Sequence, residues 1–166
     1  MTELNASADI DYDPERELDP ELHLYQLHPQ LAKDCVVLGR FSLCDLLLMN
    51  DANYPWFILV PRLADVGEIY HLSAKDQQQL MHESCVLASN LADIFNADKM
   101  NIAALGNVVP QLHIHHVVRY QGDPCWPAPV WGRTDPKYYA SAQIEALRER
   151  VNTLLADCGA YQAATL

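Results

Sequence analysis

The sequence is short of positive charge: 11 Lys and Arg face 22 Asp and Glu over 166 residues, a formal net charge of -11. That balance excludes a DNA or RNA backbone as the main partner, because such binding rests on Lys and Arg neutralising phosphates. It disfavours an anionic membrane surface for the same reason. Long apolar runs are missing too. The best candidates, such as Trp56 to Val60, have strand length, far below the roughly 18 residues of a membrane span. A basic start and an apolar run of signal-peptide type are absent from the first residues, so the expected location is cytoplasmic. The five cysteines, Cys35, Cys44, Cys85, Cys125 and Cys158, include no Cys-x-x-Cys pair, which argues against a zinc ribbon or a disulfide framework. They read as small buried hydrophobes. Internal repeats are also lacking.

What the chain does have is apolar content, half of all residues, enough for a packed core. Its acidity is uneven. Residues 1–21 hold eight acids and one Arg, a net of -7, and read as a flexible acidic lead-in. Between Asn101 and Arg133 only Asp123 stands against Arg119 and Arg133, a net of +1.

Short apolar runs at Cys35–Gly39, Cys44–Met49 and Trp56–Val60, separated by turn-prone residues and closed by Pro61, predict three strands. Ser73 followed by Asp76 predicts a helix N-terminus. Met81, Cys85, Ala88, Ala92 and Phe95, spaced 4, 3, 4 and 3, then predict a buried stripe on a helix over about 74–96. Two more strands, Lys99–Leu105 and Gln111–Arg119, flank a Gly106-Asn107 reversal and form an antiparallel hairpin. Three prolines within 124–129 exclude regular structure there. A last helix is expected to start near Asp135-Pro136, with Ile144, Leu147, Val151 and Leu154 as its stripe and Gly159 as its stop. This order of elements predicts an α+β domain with a largely antiparallel sheet.

Three of the seven histidines fall in one strand, Gln111-Leu112-His113-Ile114-His115-His116. Alternate strand residues share a face, so Gln111, His113 and His115 point one way while Leu112, Ile114 and His116 point the other. His116 therefore reads as a core histidine. His23, His28, His71 and His82 are isolated and read as structural. The pair His113 and His115 admits three readings. They can be hydrogen-bonded surface residues. They can be the first two ligands of a metal whose third comes from elsewhere, although no Glu follows at the cupin spacing. Or one imidazole can attack an electrophile while its neighbour donates hydrogen bonds.

The segment Leu105 to His115 resembles the signature of the histidine-triad (HIT) superfamily, His-φ-His-φ-His-φ-φ, with φ apolar. The strand-turn-strand from Leu47 to Arg62 and the following helix match the family layout. Trp126 to Gly132 (Trp-Pro-x-Pro-Val-Trp-Gly) is similar to the ending of bacterial HIT proteins described as diadenosine polyphosphate hydrolase-like. The resemblance implies a HIT-like antiparallel half-barrel sheet with one long helix over residues 22–133, followed by a C-terminal helical extension over 134–166. It implies a nucleotide as the small-molecule substrate and a homodimer as the assembly. His113 stands at the nucleophile position, attacking phosphorus to give a nucleotidyl-histidine that water hydrolyses. His115 stands where the family hydrogen-bonds a phosphate oxygen. Asn107 matches a phosphate-contacting amide residue, beside the main-chain amides of Gly106, and Asp51, or its neighbour Asn50, matches the acid that holds the ribose hydroxyls. Asn101, on the preceding strand, joins the same substrate-binding set. No cofactor is obligatory and no metal is built in; a divalent cation such as magnesium can accompany the substrate phosphates. The chain departs from the pattern at Gln111, where the first histidine of the triad should stand, and at Val108, where one branch has a serine. Gln111 can donate and accept hydrogen bonds but carries no proton to a leaving group. A nucleotide-binding module with little or no catalysis is the alternative that this departure motivates.

Overall fold

A computed structural model describes residues 24–156 and 161–164. The acidic lead-in, His23, Cys158 and Gly159 lie outside the described residues. The elements are a short helix α1 (Pro29–Asp34), strands β1 (Cys35–Arg40), β2 (Cys44–Met49) and β3 (Trp56–Pro61), the long helix α2 (Ala74–Phe95), strands β4 (Lys99–Ala103) and β5 (Ile114–Arg119), helix α3 (Ser141–Leu155) and a two-residue strand β6 (Gln162–Ala163). The six strands form one sheet in the order β4-β5-β3-β2-β1-β6, and every pair is antiparallel. The α+β architecture and the five main strands follow the expectation from sequence. Among the described residues no helix is long and apolar enough to cross a membrane.

The sheet has two covered faces, and alternation assigns its side chains to them. Leu46, Leu48, Phe57, Leu59, Ile114 and Val118 point into the core that Leu80, Leu87 and Leu91 of α2 complete. Leu47, Trp56, Ile58, Val60 and Val117 point to the other face, where Tyr54, Val109 and Val130 cover them. Strands β3 and β5 are consequently buried at every position, as central strands of a doubly covered sheet are. At the far edge β6 crosses Gly39 so closely that a Cβ there would collide with Tyr161 Oη and the Gln162 carbonyl.

Helix α2 begins where expected, with Ser73 Oγ accepting from Asp76 N at 3.1 Å, and ends at Asn96 in the left-handed region. Its buried face is not the expected one. Leu80, Glu83, Ser84, Leu87 and Leu91 are buried, while Met81 is 63% exposed and Cys85 is exposed. The physical reason is that two polar residues in the buried stripe are satisfied by distant partners. Glu83, 1% exposed, accepts from Leu43 N at 2.7 Å and Cys44 N at 3.0 Å, tying the β1–β2 turn to the helix. Ser84 Oγ bonds His116 Nε2 at 2.8 Å. Of the other cysteines, Cys44 is buried and Cys35 and Cys125 are half-buried. Replacing Glu83 by Ala strands two buried amide donors, so Glu83→Ala is expected to cost about 2–3 kcal/mol. Urea unfolding checks it, and a loss below about 0.5 kcal/mol would contradict this role for the carboxylate.

The last helix also differs from expectation. It starts at Ser141, not near Pro136, and it buries Val151 and Leu155, not Leu154. Residues 135–140 are instead captured by the β2–β3 turn. Lys137 N donates to Asp51 Oδ1 at 3.1 Å, Tyr139 N to Asn50 Oδ1 at 3.0 Å, and Ala52 N to the Lys137 carbonyl at 2.6 Å. The Lys137 carbonyl, which a helix starting at Pro136 would give to the amide four residues on, is thereby taken by Ala52 N.

Candidate active site

Strand β5 enters the sheet at Ile114, one residue after His113, yet His113 and His115 lie together on the face opposite α2. Their ring centroids are 4.8 Å apart and nearly perpendicular, at 78°. Both residues are buried, at 7% and 5% exposure.

Hydrogen bonding fixes which nitrogen of each ring carries the proton. His113 Nδ1 lies 2.7 Å from the main-chain carbonyl of Gln111. A carbonyl only accepts, so Nδ1 is the protonated nitrogen and Nε2 presents a lone pair. His115 is arranged in the opposite sense. Trp56 Nε1, which only donates, lies 3.0 Å from His115 Nδ1, so Nδ1 accepts and Nε2 carries the proton. Burial, followed by the neighbouring His113 and His116, pushes the His115 pKa down to about 3, so its ring is neutral at any ordinary pH. Trp131 packs edge-on against both His115, at 5.4 Å, and Trp56, at 5.6 Å, closing this side of the pair. The two hydrogen bonds thus set the Nε2 lone pair of the unprotonated His113 ring beside the Nε2–H of His115.

His116, on the core face as expected, is fully buried between the Ile114 carbonyl and Ser84. Burial lowers its pKa to about 4. The folded forms of His115 and His116 therefore bind fewer protons than the unfolded chain below the ordinary value of 6.5. Their contribution to stability is full above about pH 6.5 and is lost as pH falls towards 4, by up to about 1.4 kcal/mol per pH unit for each site. A urea midpoint lower at pH 5.5 than at 7.5 is expected; equal midpoints would contradict a neutral buried pair.

The remaining candidates are placed as follows. Gln111 does not turn its side chain to His113: Oε1 accepts from His28 N and Nε2 donates to the Gln26 carbonyl, each at 2.9 Å. It orients His113 through its backbone, with residues 26–28 as the brace. His28 also caps α1, its Nδ1 accepting from Gln30 N at 3.1 Å. Beyond Gln111 a cleft of about 730 Å³ opens between Gln26 and His28 on one side and Asp65 and His71 on the other. Gly106 has φ +73°, the left-handed geometry that favours glycine, in the loop joining β4 to β5; Asn107 beside it is exposed. Asp51 is 7% exposed, and its Oδ1 already accepts from Asn53 N, Asn53 Nδ2 and Lys137 N. Asn50 is engaged by Tyr139 N. Asn101 Oδ1 accepts from Arg119 Nη1 at 2.6 Å. The geometry therefore joins His113, His115 and the Gln111 backbone directly, whereas Asp51, Asn50 and Asn101 are held in contacts with other parts of the chain.

Sequence reasoning missed Trp56 and Trp131. Trp56 reads as the start of a strand, and only the cross-strand register, Trp56 opposite Val117 and Ile58 opposite His115, puts its indole beside the histidine. It also missed Arg119, 1% exposed, which forks onto Asp123 at 2.6 and 3.1 Å and reaches the Ala128 carbonyl at 2.9 Å. Arg119 thereby fastens the loop that leads to Trp131. Among the described residues no group of three or more His, Cys, Asp or Glu could hold a metal ion.

An open antiparallel sheet with a His-x-His pair on one face and a long helix against the other defines a histidine-triad architecture. The HIT domain model matches residues 30–122, and the chain belongs to this family. Its structure is similar to that of a histidine triad protein from Marinobacter aquaeolei VT8, with 51% identity and a TM-score of 0.79 over 81% of this chain and 98% of that one. It is also similar to a histidine triad protein from Bradyrhizobium japonicum (41% identity, TM-score 0.77, 78% of this chain and 97% of that one). A HIT protein from Sinorhizobium meliloti 1021 is comparable, at 39% identity and TM-score 0.77 over 79% of this chain and 97% of that one. No curated protein matches the chain. Proteins of this family are generally nucleotide hydrolases or transferases.

Proposed function

We propose that the protein is a nucleotide hydrolase that cleaves phosphoanhydride or related bonds of nucleoside polyphosphates or nucleotide conjugates through a nucleotidyl-histidine at His113. The observation that carries this reading is the hydrogen bond from His113 Nδ1 to the Gln111 carbonyl, which leaves Nε2 as a lone pair needing no base to activate it. Nε2 attacks the α-phosphorus and forms a P–N bond as the bond to the leaving group breaks. The ring then carries a positive charge, and the Gln111 carbonyl stabilises the Nδ1 proton that remains. His115 Nε2–H donates to a non-bridging oxygen, where charge develops. Water next attacks the phosphorus, the P–N bond breaks with its electron pair returning to Nε2, and the water's proton leaves to solvent. A divalent cation such as magnesium can neutralise the substrate phosphates.

Gln111 supplies no proton to the leaving group. A leaving group that departs as a stable anion is therefore favoured, which places phosphoanhydrides of the diadenosine polyphosphate type ahead of phosphoramidates, whose amine must be protonated. Incubation with a panel of dinucleoside polyphosphates and nucleoside phosphoramidates tests the reading. Mononucleotide release from the anhydrides in preference to the amides is expected; no release from any substrate would overturn it. Gln111 also motivates the second reading, a nucleotide-binding module without turnover, which predicts thermal stabilisation by AMP and no product.

For the homodimer, support comes from the β4 edge of the sheet, where Ile102 is 49% exposed, and from Met81 and Cys85 on the outer side of α2. Sedimentation at twice the chain mass is the expected result.

A further inference from the structure

We infer that Trp56 is a positioning residue, which acts through His115 by holding that imidazole in the Nε2–H form so that it always presents a donor to the reacting phosphate. The role of His115 in this statement rests on the function proposed above; the bond to Trp56 does not. A neutral imidazole exchanges freely between two tautomers, and only one of them donates from Nε2. The indole N–H has no acceptor capacity, so its 3.0 Å bond to His115 Nδ1 removes the choice.

The surroundings leave Trp56 as the group that does this. Two indoles touch His115, at 5.4 Å each, but Trp131 packs its ring edge-on and its own buried Nε1 has no partner among the described residues. Across the sheet the ladder partners of His115 are Ile58 on β3 and Ala103 on β4, neither with a polar side chain. The titratable groups acting on His115 are His113 and His116 of its own strand, while Trp56 and Trp131, from β3 and the covering loop, bring no charge. No carboxylate is among the groups that shift it, so nothing holds the imidazolium form. An indole N–H bonds only the unprotonated Nδ1, and so it favours the neutral ring, in the same direction as burial. Two histidines of like type thus present opposite faces of the same chemistry: His113 a lone pair at Nε2, fixed by a carbonyl, and His115 a proton at Nε2, fixed by an indole.

The test uses the full chain labelled with ¹⁵N-histidine, whose long-range proton–nitrogen couplings distinguish the tautomers. In the unaltered protein His115 is expected wholly as the Nε2–H form; an Nδ1–H form would overturn the inference without any variant. In Trp56→Phe, which keeps a buried ring and loses the N–H, His115 is expected to populate both tautomers and to titrate at higher pH. The same variant is expected to lose about tenfold or more in kcat with KM little changed, part of the roughly 100- to 1000-fold that a missing oxyanion donor costs. Relative to the unaltered protein, its kcat should recover as pH falls through the new His115 pKa, because the imidazolium donates from Nε2 whichever tautomer the neutral ring adopts. A Trp56→Phe protein that keeps a pure Nε2–H tautomer and the original pH profile would show that Trp56 only packs. If the unaltered protein hydrolyses nothing, the proposed function fails, yet the tautomer spectra still decide this inference.

Discussion

His113→Ala is expected to lower kcat by at least about 1000-fold while leaving the fold and AMP binding in place. The size follows from the role. A nucleophile removed from a two-step pathway cannot be replaced by its neighbours, so the residual rate comes only from binding and charge stabilisation. His115 cannot substitute, because its Nε2 carries a proton and its Nδ1 is held by Trp56. The fold should survive because the His113 side chain makes its one hydrogen bond to a main-chain carbonyl two residues away, a contact worth about 1 kcal/mol. Steady-state kinetics beside a thermal melt with and without AMP checks both halves. Retention of more than about a tenth of kcat would remove His113 from the nucleophile position. Loss of activity together with loss of the fold would show that the imidazole is structural.

Arg119→Ala is expected to destabilise the protein by about 3–5 kcal/mol, because it leaves the Asp123 carboxylate buried without its partner. The Asp123 side chain is 3% exposed, and Arg119 reaches it with two nitrogens, at 2.6 and 3.1 Å. Burial alone would raise the Asp123 pKa, but the bonds from Arg119 and from the Cys125 and Tyr120 amides outweigh it and hold the carboxyl below its ordinary range. The guanidinium also lies 6.0 Å from the Tyr54 ring centroid and 5.7 Å from that of Trp126. A lysine cannot reproduce the fork, so Arg119→Lys should recover little of the loss. The expected fall in melting temperature is roughly 6–20 °C. Arg119→Ala combined with Asp123→Ala should cost much less than the sum of the single changes. A loss under about 1 kcal/mol would mean that the fork does not fasten the loop.

The strands were legible because each is a short run of β-branched, aromatic or leucine residues cut off by a turn or a proline. Alternation along β5 was enough to put His113 and His115 on one face and His116 in the core. Two features were hidden for one physical reason, the satisfaction of polar groups by distant partners. On α2 the buried face carries Glu83 and Ser84, whose partners are the β1–β2 turn and His116, so a search for an apolar stripe selected Met81 and Cys85 instead. Near Pro136 the local preference for a helix start lost to the β2–β3 turn, where Ala52 N takes the Lys137 carbonyl and Asp51 and Asn50 hold the Lys137 and Tyr139 amides. The same effect separates the candidate site from its outer members. Asp51, or its neighbour Asn50, fits the family pattern by position; in the structure Asp51 Oδ1, Asn50 Oδ1 and Asn101 Oδ1 each accept from the chain itself. The place of Trp56 depends on strand register, which no local pattern carries.

In the proposed reaction hydrolysis passes through two displacements at phosphorus, the first by His113. Each in-line displacement inverts the phosphorus, so two of them restore its original configuration, whereas direct attack by water inverts it once. The most direct measurement is the stereochemical course of hydrolysis of a nucleotide made chiral at the α-phosphorus with sulfur and cleaved in ¹⁸O-labelled water. Net retention is expected; net inversion would mean a single displacement by water, without a nucleotidyl-histidine.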